Sequence, residues 1–70
     1  MQTQIPARQM YGRLVPGDII RPNRWDNEPY TVQKIVQSMV AGELDVHLVG
    51  ADGTKHVIQV IYPERVEVLS

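Results

Sequence analysis

Gly50-Ala51-Asp52-Gly53-Thr54-Lys55-His56-Val57-Ile58-Gln59-Val60-Ile61-Tyr62-Pro63-Glu64-Arg65-Val66-Glu67-Val68-Leu69 carries the clearest structural signal in this chain. It reads as the turn and second strand of a β-hairpin, then one tight turn at Pro63, then a short last strand. A three-residue loop of Ala51, Asp52 and Gly53 puts Gly53 in the left-handed position of a type I turn with a bulge. That loop sets the register. Gly50 faces Thr54, Leu48 faces His56, Val46 faces Ile58 and Leu44 faces Val60. One face then gathers Leu44, Val46, Leu48, Ile58 and Val60. A two-residue Asp52-Gly53 turn would slip the pairing by one and bring Gln59 opposite Val46. A buried glutamine without partners costs about 1–3 kcal/mol, so the longer loop is preferred.

Working back from the hairpin, residues 44–49 alternate Leu44, Val46 and Leu48 against Asp45 and His47, as a half-buried strand does. Residues 40–43 form a loop. Tyr30 to Met39 reads as a strand rich in β-formers, with Tyr30, Thr31, Val32, Ile35 and Val36. Its apolar positions shift from even to odd between Val32 and Ile35, which predicts a β-bulge or a strong bend. Residues 22–29 are a polar loop bounded by Pro22 and Pro29. Asp18 to Arg21 is a short strand entered through a Pro16-Gly17 turn, with proline and glycine in their preferred turn positions. Residues 1–13 lack a persistent pattern and read as an arm, in which Ile5, Met10 and Tyr11 are apolar enough to dock and Gly12 acts as a breaker. Domain organisation is therefore an arm over 1–13 and one folded unit over 14–70.

Seventy residues allow one domain. A chain of this size buries only about 60% of its unfolded surface, so it gains from packing or self-association. No cysteine is present, which excludes disulfides and thiolate metal sites. Two histidines do not build a closed zinc site without carboxylates. No apolar run approaches the length of a membrane helix. The Met1–Pro6 segment has neither a basic start nor an apolar centre, so a secretory leader is not expected. Cytoplasmic localisation fits the lack of cysteine. The net charge of −1 hides an asymmetry: Arg8, Arg13, Arg21 and Arg24 meet only Asp18 in residues 1–25.

Five short strands with a single helical turn before the last resemble an SH3-like barrel. The ending Tyr62-Pro63-Glu64-Arg65-Val66-Glu67-Val68-Leu69 is similar to the segment that closes SH3 domains, where a proline-led turn precedes a Val-x-Leu strand. The resemblance spans residues 14–69. It implies an all-β fold, a five-stranded SH3-like barrel with a short 3-10 turn before the last strand. Loop 22–29 would correspond to the RT loop, 40–43 to the n-Src loop and 51–53 to the distal hairpin. The chain departs from peptide-binding SH3 domains. It has no Ala-Leu-Tyr-Asp-Tyr stretch and no phenylalanine, and its tryptophan sits in the first loop. Proline-peptide recognition uses aromatic ridges, for which Trp25, Tyr30 and Tyr62 would be a reduced set. A narrower run, Val57-Ile58-Gln59-Val60-Ile61-Tyr62-Pro63, is similar to the Val-Gln-Ile-Tyr-Pro segment of type II dihydrofolate reductases, which build one active pore from four SH3-like subunits. Here Val60 and Ile61 separate Gln59 from Tyr62 where that family has one residue, and the lysines of such a pore have no match.

Candidate site residues come from two places. Arg21, Arg24, Trp25 and Tyr30 cluster around the 22–29 loop. A tryptophan beside arginines can stack on a base or grip a peptide. The competing role for Trp25 is packing over one end of the barrel. Val49, Val57 and Ile61 alternate outward in the preferred register and form an apolar patch. Either the arm covers that patch with Ile5, Met10 and Tyr11, or a second subunit does. His47 and His56 point to opposite faces, which argues against a shared metal. Carboxylates such as Glu43 with Asp45, or Glu64 with Glu67, lie on edges and do not suggest acid–base chemistry. No serine-histidine-acid set and no glycine-rich phosphate loop exists.

The expectation is a non-catalytic interaction module, with a protein partner or a second copy of itself as ligand. No cofactor, metal, small-molecule substrate or membrane is expected. Such cysteine-free single modules are frequent among phage and bacterial accessory proteins. The alternative is a nucleic-acid accessory protein using Arg8, Arg13, Arg21, Arg24 and Trp25, whose binding would fall steeply with salt. The remote alternative is a tetramer like the type II reductases.

Overall fold

Pairing of the segment around Gly53 organises everything else. A computed structural model describes residues 7–69. It contains β1 (Ala7–Met10), a 3-10 turn (Tyr11–Arg13), β2 (Ile19–Arg21), β3 (Tyr30–Gln37), β4 (Glu43–Gly50), β5 (Lys55–Ile61) and β6 (Arg65–Val68). Among the described residues all strand pairs are antiparallel, in the order β1-β6-β2-β3-β4-β5.

The β4–β5 register is the expected one. Leu48 lies opposite His56, Val46 opposite Ile58 and Leu44 opposite Val60. Gly50 donates its N–H to the Thr54 carbonyl at 2.8 Å, and Gly53 returns a hydrogen bond to the Gly50 carbonyl at 3.0 Å. Gly53 has φ +84°, which glycine adopts without steric cost. The expected break in β3 is a register shift between Val32 and Lys34, leaving Gln33 unpaired with β4. That bulge restores Ile35 to the partly buried side, where it packs against the core.

Leu44, Val46, Leu48, Ile58 and Val60 are all buried. Ile20, Tyr30, Val32 and Val66 join them from the other strands, and Tyr11 and Leu14 from the chain before β2. Because side chains alternate along each strand, β4 buries every second residue and turns the others outward.

Three expectations need correction. First, the strand count is six. The sixth strand lies inside the segment read as an arm: Ala7 to Met10 pairs with Val68 to Arg65. The backbone of β6 had a free edge, and hydrogen bonding to it makes a strand from residues that show no alternation of their own. Second, the sheet is not closed into a barrel. It has two ends, β1 and β5. Third, the 3-10 turn is not the one before the last strand. Tyr62 and Pro63 sit in a single turn closed by Glu64 N–H to the Ile61 carbonyl at 3.0 Å. The 3-10 turn is at Tyr11–Arg13, where the Tyr11 N–H donates to the Glu64 carbonyl at 3.0 Å and its ring is only 1% exposed. Gly12 is therefore a packing position as well as a breaker. A Cβ there would lie 2.8 Å from the Tyr62 ring.

Candidate functional site

The 22–29 loop is tied down at both of its sides, and the two sides do different things. On one side the antiparallel register sets Arg21 directly across from Glu67. Their side chains meet at 3.0 Å, and Arg24 meets Glu64 at 2.7 Å. Both guanidinium groups thus turn toward β6 and its entry turn. Among the described residues these are the two ion pairs.

On the other side the loop reaches the end of the β4–β5 hairpin. Trp25 Nε1 donates to the Tyr30 hydroxyl at 2.8 Å, and that hydroxyl donates to Asp26 Oδ2 at 2.8 Å. Asp26 also accepts the Glu28 N–H at 3.1 Å, closing an Asx turn. The Trp25 ring lies 4.8 Å from the His56 ring, tilted by 36°. Tyr30 presents an edge-on geometry to both, with centroids at 5.4 Å. Offset and edge-on arrangements are the favourable ones for aromatic pairs.

Tyr30 can occupy this place because Gly50 is its cross-strand neighbour. A Cβ on Gly50 would come within 3.2 Å of the Tyr30 ring. Burial pushes the Tyr30 hydroxyl above its ordinary value of 10.0, with the bond to Asp26 adding in the same direction. At the hairpin tip, Asp52 accepts the Thr54 N–H at 3.0 Å, and this bond holds its carboxyl below 3.8. The negative charge on Asp52 is secured accordingly.

Between loop and hairpin opens a hollow of about 450 Å³. Trp25, Tyr30 and His56 supply its aromatic surface, and Asp26, Glu28 and Asp52 its carboxylates. Among the described residues no lysine or arginine lines it. Trp25 stays 47% exposed at the mouth. Its hydrogen bond and ring contacts hold it in a defined orientation while leaving about half of its surface open.

The four loop candidates are therefore split. Trp25 and Tyr30 are brought together at the hollow; Arg21 and Arg24 face away from it. Trp25 packs over the sheet end and still keeps an exposed face. Reading the sequence missed His56, Asp26, Glu28 and Asp52. The one available signal was the register itself, which puts His56 on the inner face just beyond the apolar positions, beside the hairpin turn that carries Asp52.

Val49, Val57 and Ile61 lie on the outward face, with Val57 and Ile61 57% and 56% exposed. Met10 and Tyr11 do not cover them. They belong to β1 and the 3-10 turn, and β1 lies at the opposite end of the sheet from β5. Ile5 falls outside the described residues. His47 points outward with this patch while His56 points to the hollow, and among the described residues no three metal-binding side chains converge. Among the described residues no helix is long and apolar enough to cross a membrane. No family model, curated protein or solved structure matches the chain.

Proposed function

We propose that this chain is a non-catalytic interaction module that docks a protein partner at the hollow between the 22–29 loop and the β4–β5 hairpin. One observation carries the reading: Trp25 is fixed by its bond to Tyr30 and its stacking on His56, yet stays half exposed beside an open hollow. Aromatic anchors held rigid at low entropic cost are the residues that contribute most at protein interfaces. The SH3-like reading of the fold belongs with this proposal. Its support is the order of strands and loops from β2 to β6, which sets a long first loop against a tight distal hairpin.

Affinity capture with the wild-type chain and with Trp25→Ala tests the reading. A partner retained by the first and lost by the second, with the circular dichroism of both unchanged, is the expected result. Partners held equally by both proteins would place binding elsewhere and end the proposal.

A second reading has its own observation. Strand β5 ends the sheet, and Val57 and Ile61 stand exposed on its outward face. An edge strand with apolar side chains is a template for pairing with another copy. Sedimentation over a concentration series tests it, and Val57→Ser with Ile61→Ser is expected to abolish any concentration dependence. The nucleic-acid alternative is less well supported. Arg21 and Arg24 are held by Glu67 and Glu64, and Trp25 is surrounded by carboxylates that would repel phosphate.

A further inference from the structure

The chemistry of the hollow points to what it would hold. Its rings offer π-faces, which attract cations lying within about 6 Å of the ring centre. Two of its three carboxylates are held by neutral donors. Asp26 is fixed by the Tyr30 hydroxyl and the Glu28 amide, and Asp52 by the Thr54 amide. Such bonds orient a carboxylate without neutralising it. Among the described residues Asp26, Glu28 and Asp52 have no ion-pair partner. The nearby arginines are engaged by Glu67 on β6 and by Glu64 in the turn before it, and do not line the hollow. A volume of about 450 Å³ accommodates a side-chain head group with part of its stem. A site with aromatic walls and fixed, unneutralised negative charge favours a weakly hydrated cation over an anion or a neutral group.

We propose that the hollow receives a cationic head group, a guanidinium or an alkylated ammonium on a basic segment of a partner protein, held against the Trp25 ring by Asp26, Glu28 and Asp52. The inference rests on the hollow being the partner site and adds the chemistry that selects the partner. It also accounts for the loop's sorting of charge: arginines of the chain are turned away, leaving the carboxylates free for a cation from outside.

Trp25 is the single tryptophan, so its emission reports on this site alone. The full chain would be titrated at low salt with N-acetyl-arginine amide, with choline, and with 3,3-dimethylbutan-1-ol, the neutral isostere of choline. Saturable changes in emission are expected with at least one cation, with at least tenfold weaker response to the neutral alcohol. The two cationic probes separate a guanidinium site from an alkylammonium site. The double variant Glu28→Gln with Asp52→Asn keeps a hydrogen-bond acceptor at position 52, and is expected to weaken cation binding at least fivefold with the unliganded emission maximum unchanged. A neutral isostere that responds as strongly as the cation that binds, or no saturable response to either cation, would overturn the inference. The partner reading fails separately. A captured partner that depends on Trp25 but is indifferent to the double variant and to salt would keep the docking site and reject the cation.

Discussion

The indole of Trp25 stacks on the imidazole of His56 at 4.8 Å, joining the loop after β2 to the strand that follows the hairpin turn. The stack adds to what else holds the two residues: Trp25 is also bonded to the Tyr30 hydroxyl, and His56 sits in β5 at the first inward position after the turn. His56→Ala should therefore loosen Trp25 without unfolding the sheet. The loss is about 0.5–1.5 kcal/mol, the size of an aromatic pair. Tryptophan emission is expected to shift to the red, and the urea midpoint to fall slightly. An unchanged emission maximum would show that the stack does not form in solution.

Gly50→Ala probes the floor of the same site. Its new Cβ would lie 3.1 Å from Asp52 Oδ1 and 3.2 Å from Tyr30 Cε2. Asp52 is exposed and can give way, but the Tyr30 ring is buried and bonded on both sides of its hydroxyl. Overpacking of this kind costs about 1–3 kcal/mol, set against a gain of about 0.4–1 kcal/mol from a stiffer unfolded chain. A net loss of about 1 kcal/mol is expected in denaturant unfolding. A stabilised variant would mean that the ring has room.

Arg24→Ala separates the two uses proposed for the loop arginines. The Arg24–Glu64 pair is about one-third exposed on each side. Exposed pairs contribute about 0.2–1 kcal/mol, so stability should scarcely change. Partner capture through the hollow should survive, because Arg24 points away from it. Loss of binding with the fold intact would restore the nucleic-acid reading.

Alkaline unfolding should report on the buried tyrosines. Burial raises both Tyr11 and Tyr30 above 10.0, which means the folded chain favours their neutral form. Their contribution is fully present below pH 10 and is lost as pH rises through the folded-state values. The urea midpoint is expected to hold between pH 8 and 9.5 and to drop above 10. Tyr30→Phe should flatten that drop by removing one of the two ionising groups. A pH-independent midpoint up to 11 would show that neither hydroxyl is shielded from water.

What could be read from residues alone was local. The Ala51-Asp52-Gly53 turn sets one register, and that register alone sends Leu44, Val46, Leu48, Ile58 and Val60 to one side. The bulge after Val32 followed from the shift in apolar parity. Strand β1 did not announce itself, because Ala7-Arg8-Gln9-Met10 has no alternation and is held by hydrogen bonds to a distant strand. The site was half visible for the same reason. Trp25 stands out in a polar loop, but nothing near it in sequence names His56 or Asp52.

Turn chemistry and side-chain alternation, which act over a few residues, were enough to specify an all-β chain, its central hairpin and its apolar lining. Folding in three dimensions settled the rest. It opened the sheet at β1 and β5, paired Arg21 and Arg24 with acids on β6 and in the turn that enters it, and brought three rings and three carboxylates around one hollow. Those outcomes depend on which distant backbone edges and charges meet, and such meetings are fixed by packing between strands far apart in the chain.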